Sequence, residues 1–496
     1  MLVKGSSNFV LRQAILPVLS LILALAGTAL SQAQSTSLPS APVPNSSSVS
    51  NPYFGSVTLH PATGEVMKLS LDDAVSRGLG TNLGLKEAET SEKTLHGEEL
   101  EALQYFLPTV TVTGGTSVHE YNLAAFGFGP GFISKLGGLF PGGFPTNLSF
   151  ITKADVTTGQ VNWDQLLFSG PIIDGYKAVR AAEKSAYFGT QSARGEVVQQ
   201  VATAYLAVIA AQSEVENAQS LLQADKVLLD QAHAKHEAGT VANLDELRAR
   251  VQYQQQQQTV VANENKREKA EILLKREIGI APGQKILLTD PAPYNDLAKR
   301  TPEDLRAEAY ENRQDYQNAQ AQHREAEMVL AARKKERLPT LSFSGNYGVT
   351  GVNGVGYHGT LSAIGTLSVP IFKEGTLRGD RDVAKSQLTG AELQLGDLRS
   401  HIDEQVRSAL LDVQANQQLV EVARSNVELA TKALSDESDR FNAGLDDTLP
   451  LVQAQSTLAT AQTTLVESLY QYNLAKLRLA RSAGVLEQQY RTYLGR

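Results

Sequence analysis

The chain has 496 residues, with 45 Lys and Arg against 53 Asp and Glu, no cysteine and one tryptophan. A formal charge of −8 argues against a nucleic-acid binder, and the missing cysteines exclude disulfides, thiolate metal sites and a cysteine nucleophile. Hydrophobic residues make up 42%, enough for folded structure, while 6% aromatics is low for a substrate-clasping enzyme.

Residues 1–33 read as a signal peptide. Lys4 and Arg12 form a positive start, Ala14 to Ala26 is apolar, and small residues follow at Thr28, Ala29, Ser31 and Ala33. Cleavage is expected after Ala33 or Ser31. The apolar run is shorter than the ~20 residues a spanning helix needs. Residues 34–65 follow as a leader rich in Ser, Pro and Asn, with the composition of disordered chain. No later stretch of 18 apolar residues occurs, so helices are not expected to carry this chain across a membrane.

The remainder is one unit written twice, over residues 66–284 and 301–484, joined by a linker at 285–300 and ended by a tail at 485–496. Ser70-Leu71-Asp72-Asp73 and Thr301-Pro302-Glu303-Asp304 are matching helix starts, each a hydroxyl cap followed by acids. Each helix is expected to run about 35 residues and to leave at Leu-Pro-Thr, at 107–109 and 338–340, because proline expels its predecessor from helical geometry. The segments beyond alternate polar and apolar residues, as strands do. The offset between copies is 231 here and about 205 later; the first copy holds the difference as a Gly/Phe/Pro-rich insert at 125–145.

Strands are expected at about 109–123 and 153–168 in the first copy, and 340–350 and 359–372 in the second. All four are long enough to cross a bilayer when tilted. Four strands cannot close a barrel alone, and open edges are not tolerated in lipid, so the chain is expected to oligomerise and pool its strands. Helical hairpins follow at 175–279 and 375–484. Their first arms lack proline for some 62 residues, about 90 Å of helix, and carry small or apolar residues every three or four positions.

The duplicated helix–strand–strand–helix–helix order, the Leu-Pro-Thr exits, the passages LLFSGPIIDG and LSVPIFKEG, and the tip segments HEAGTVANLDELRARVQ and FNAGLDDTLPLVQAQST together resemble the TolC family of outer-membrane efflux proteins, over residues 66–490. The resemblance implies a mainly α protein with transmembrane β: a homotrimer whose 12-stranded barrel takes four strands from each chain and continues as a helical tunnel in the periplasm. It implies an outer-membrane exit duct for efflux or type I secretion, partnered by a periplasmic adaptor and an inner-membrane pump. Ala238, Gly239, Thr240, Ala443, Gly444 and Leu445 correspond to the adaptor-docking tips, although a tip glycine also has a purely structural use in turning a helix end.

The family closes its tunnel mouth with polar links, and here the pattern departs. Asp245 matches the acidic member, but the expected tyrosine is Phe441 and the expected arginine is Asp446. Gln453 stands where some members carry an acid, and Pro450 replaces a nearby one. The mouth is expected either to close by packing or to stand more open. Asp436, Glu437, Asp439, Asp446 and Asp447 make the second tip acidic, which predicts a cation-selective mouth.

No catalytic, cofactor or metal site is expected: Walker A, His-Glu-x-x-His and Gly-x-Ser-x-Gly patterns are missing. His233, His236 and Glu237 read as a solvated tip face, and Gln254–Gln258 as a polar helix face. Trp163 fits an interfacial aromatic, with core burial the rival reading. The alternative to a channel is an exported periplasmic coiled-coil structural or adaptor protein. The duplication argues against an adaptor, and the four strands against a plain coiled coil.

Overall fold

In the computed structural model, the described residues are 52–129, 131, 132, 135, 151–291, 293–443, 445 and 448–495. The signal peptide, most of the leader, most of the 125–145 insert, and Gly444, Asp446 and Asp447 lie outside them.

The first repeat opens with strand β1 (Met67–Leu69), then helices α1 (Leu71–Thr81) and α2 (Leu83–Gln104). Strands β2 (Thr109–Asn122) and β3 (Ile151–Phe168) lead into the long helix α3 (Gly170–Glu237) and its return α4 (Asn243–Glu277). Strand β4 (Ile286–Leu288) crosses back to pair in parallel with β1. The second repeat runs α5 (Pro302–Asn312), α6 (Gln314–Lys335), β5 (Thr340–Val352), β6 (Gly356–Ser368), α7 (Glu374–Asn442) and α8 (Thr448–Ser482). A last helix, α9 (Leu486–Leu494), closes the chain.

The opening helix of each repeat corrects the expectation of one 35-residue helix. Each is broken, and at positions 231 residues apart: Asn82 and Arg313 both leave helical geometry, with ψ of 132° and 120°. Neither is Gly or Pro, so tertiary contacts make the break. Asn82 accepts from the Leu85 amide, restarting the helix, and donates to the Tyr53 carbonyl at 2.6 Å. The buried Arg313 guanidinium binds Asp315 twice and donates to Gln405 at 2.7 Å.

Helices α3 and α7 span 68 and 69 residues, each about 100 Å long. Helix α3 starts five residues before the expected 175, because Pro171 sits in the first turn, where no amide hydrogen is needed. Strand β6 lies earlier than the expected 359–372. It begins after a turn at Gly354 (φ +85°) and stops before Pro370, which cannot donate to a ladder.

The main core forms where both repeats meet. Val197, Val201 and Tyr205 of α3 pack with Ile402, Val406 and Val413 of α7 and with Leu477 and Leu479 of α8. The linker and tail cover this core: Tyr472 of α8 accepts from the Leu297 amide, Asn473 donates to the Pro293 carbonyl, and Arg194 grips Glu487 of α9 with two nitrogens. Lys476 is fully buried beside Tyr472, and that burial lowers its pKa to about 8.

Candidate functional site

The four long strands form one antiparallel sheet in the order β2-β3-β5-β6. Its register sorts residue types by face. Val112, Val161, Tyr347 and Leu361 are consecutive cross-strand partners, and they are 80%, 44%, 68% and 77% exposed. The adjacent rung points the other way and reads Thr111, Asn162, Asn346 and Ser362. One face is therefore apolar and uncovered, the other polar, as the strand period of two requires.

Trp163 lies on the apolar face, about half exposed, with its ring edge-to-face on Phe343 at 6.3 Å. The core-burial reading fails. Toward the far end the same face carries Glu120, paired with Lys153 at 3.4 Å. An apolar band thus runs between an aromatic belt and a charged rim, the pattern of a strand surface that meets a bilayer. Among the described residues no strand covers the outer edges of β2 and β6, and 14 and 13 residues of open edge cannot persist in lipid.

At the opposite end the two hairpins turn. Ala238 completes α3, Gly239 has φ +72°, and the Thr240 amide returns to the Lys235 carbonyl at 2.9 Å. That six-to-one closure needs the left-handed residue that glycine provides. The second tip repeats it: the Ala443 amide bonds the Asp439 carbonyl and the Leu445 amide bonds the Arg440 carbonyl. Ala238, Gly239, Thr240, Ala443 and Leu445 are all exposed. So are Leu244 and Leu449, equivalent positions in the two repeats, at 55% and 42%.

Behind the tips a small core joins the hairpins. Phe441 is 1% exposed and packs with Leu228, Ala232, Ala249 and Leu451. Its ring has no hydroxyl to offer Asp245. Instead the Lys235 ammonium lies 3.8 Å from its ring centroid and donates to its carbonyl at 2.7 Å. Asp245, also buried, accepts from the Thr448 hydroxyl at 2.7 Å and faces Arg248 at 3.4 Å. The two hairpins are therefore tied by a cation–π contact and a hydroxyl–carboxylate bond. Sequence reasoning missed Lys235 and Thr448. The basic last turn of α3 and a hydroxyl opening α8 were the available signals.

Gln453 is exposed, and among the described residues it makes no link between the hairpins; its backbone carbonyl accepts from Thr457 in its own helix. Asp436 and Asp439 are exposed, and Glu437 faces Arg440 at 3.9 Å. Further up, Asp225 of α3 is buried with, among the described residues, only Gln252 as a donor, at 3.5 Å, and burial raises its pKa to about 6.

A family model described as "Outer membrane efflux protein" matches residues 160–279 and 305–485, more than half of the chain. The chain belongs to the outer membrane efflux protein family. Each matched segment holds one of the helical hairpins. Nodulation protein T of Rhizobium leguminosarum bv. trifolii is 25% identical over 332 residues, covering 64% of this chain and 69% of that protein. The outer membrane protein TolC of Escherichia coli K12 is 24% identical over 370 residues, covering 68% and 71%. The crystal structure of the CmeC outer membrane channel of Campylobacter jejuni superposes with a TM-score of 0.70 at 15% identity, covering 90% of this chain and 94% of that one. This outer membrane efflux protein thus has a TolC-like fold. No described helix is long and apolar enough to cross a membrane.

Proposed function

We propose that the protein is the outer-membrane duct of a tripartite efflux or type I secretion system. Three copies join edge to edge, β6 of one chain against β2 of the next, into a 12-stranded barrel. The apolar faces meet lipid and the Thr/Asn/Ser rungs line the pore. The three pairs of hairpins continue as a tunnel through the periplasm. Export by the signal peptide delivers the chain, and the outer membrane is its destination.

The observation that carries this reading is the sheet: two-faced, exposed on its apolar side and, among the described residues, open at both edges. A barrel resolves all three features at once. A periplasmic coiled coil or adaptor leaves the exposed rung Val112–Val161–Tyr347–Leu361 in water.

The tips supply the partner surface. Exposed Leu244, Leu445 and Leu449 beside two tight turns suit helix-to-helix docking with a periplasmic adaptor, which in turn seats an inner-membrane pump. The Lys235–Phe441 and Asp245–Thr448 ties hold the mouth closed by packing, in place of the tyrosine and arginine links. The acidic second tip favours cations at that mouth. Conductance across a planar lipid bilayer tests the duct: purified protein should give stable steps, enlarged when Lys235 is replaced by Met. A protein that never conducts, in either form, argues for the coiled-coil alternative.

A further inference from the structure

Three histidines on the helices each stand between two carboxylates, one on their own helix and one on the neighbouring helix. His233 places Glu246 on Nδ1 and Glu237 on Nε2, at 3.3 and 3.4 Å. His323 likewise spreads Glu327 and Glu392 over its two nitrogens, at 3.9 and 3.8 Å. In both, the acids flank opposite sides of the ring and cannot share one ligand with it.

His96 differs. Glu99 Oε2 and Glu183 Oε1 both approach the same nitrogen, Nδ1, at 3.8 and 3.9 Å. These separations are too long for hydrogen bonds. One ring hydrogen could not serve both carboxylates at that range. The three ligand atoms lie within 4.8 Å of one another, an arrangement that surrounds a point instead of pairing off. The other oxygen of Glu99 is already held, by the Tyr176 hydroxyl at 3.3 Å and Arg180 at 3.4 Å. That grip fixes the carboxylate and turns Oε2 toward His96, the outer-shell orientation that metal ligands commonly show.

We propose that His96, Glu99 and Glu183 form a site for a borderline divalent cation of the Zn2+ class, stapling α2 to α3 below the sheet. Imidazole with two carboxylates suits Zn2+ better than Ca2+ or Mg2+, which prefer an all-oxygen shell. Ligands about 2.0–2.2 Å from Zn2+ in tetrahedral array stand about 3.3–3.6 Å apart, so these side chains, within 4.8 Å of one another, need close by a few tenths of an ångström to about 1.5 Å. His96 is exposed and Glu183 partly so, which gives them that freedom and leaves the fourth position to water. Sequence spacing could not reveal the site. His96 and Glu99 share one helical face, but Glu183 comes from a helix beyond both strands.

The test is calorimetric titration of chelator-stripped, detergent-extracted protein with zinc chloride. One Zn2+ per chain is expected. His96→Ala should weaken binding at least 100-fold and Glu183→Gln at least tenfold, while His323→Ala leaves it unchanged. Both substituted positions are on the helix surface; should His96→Ala fail to fold, Glu183→Gln decides. No binding by the parent protein at millimolar Zn2+, or equal binding by parent and Glu183→Gln, overturns the site. Binding is read without conductance, so the result stands apart from the duct assignment.

Discussion

Gly484 lies against the main chain of Arg313: a methyl group built on it would stand 2.6 Å from the Arg313 amide nitrogen. Its counterpart Gly279 meets the Thr58 carbonyl at 2.5 Å and the Thr81 hydroxyl at 3.0 Å in the same construction. The end of each hairpin thus docks on the break in its repeat's opening helix, and both glycines have positive φ. Gly484→Ala combines strain with overlap and should cost about 2–4 kcal/mol. Gly239→Ala meets open space and should cost only about 1 kcal/mol. Melting of the extracted protein separates the two; equal losses would mean the Gly484 contact is not tight.

The hairpin tie makes a second prediction. Lys235→Met keeps the stem but removes the charge over Phe441, losing about 1–2 kcal/mol of attraction between the hairpins. Phe441→Ala empties a buried site and should cost about 3–5 kcal/mol. Both should raise conductance in bilayers. A Lys235→Met channel with parental conductance would show that the hairpins are held elsewhere.

Asp225 links stability to pH. Its carboxyl titrates at about 6 in the fold against 3.8 for a free side chain, because burial disfavours the anion. The folded protein therefore keeps a proton that the unfolded chain releases. Stability should fall as pH rises from about 4 to about 6 and stay reduced above, by up to about 3 kcal/mol. Asp225→Asn should flatten that slope and raise the melting temperature at pH 7–8. An unchanged slope would locate the titration in another group.

The two faces of the sheet should respond oppositely to charge. Leu361→Asp puts a carboxylate on the lipid face and should cut the yield of membrane-inserted protein severely. Ser362→Asp, one residue on, should insert normally and shift conduction toward cations. Equal effects of the two would contradict the assigned faces.

Much of this architecture was readable from the chain because its cues are local. Leu-Pro-Thr exits, alternating strands and Ala-Gly tips each declare themselves within a few residues, and duplication states them twice. The helix breaks at Asn82 and Arg313 carry only weak local cues, a capping asparagine and an Arg-x-Asp pair, because each also depends on partners distant in sequence: Tyr53 for one, Gln405 and Ser482 for the other. The tie at the tips was hidden for the same reason. Phe441 lacks a hydroxyl, and the partner that replaces its hydrogen bond, Lys235 over the ring, lies 206 residues away.

A barrel shared by three chains fixes the size of the particle. The mass of the protein extracted from outer membranes, with detergent subtracted, tests it most directly. The full chain weighs 53.4 kDa, and loss of the signal leaves a protomer of roughly 50 kDa. A particle of three protomers is predicted. A soluble monomer would mean that the strands satisfy their edges within one chain, and the shared barrel would have to be abandoned.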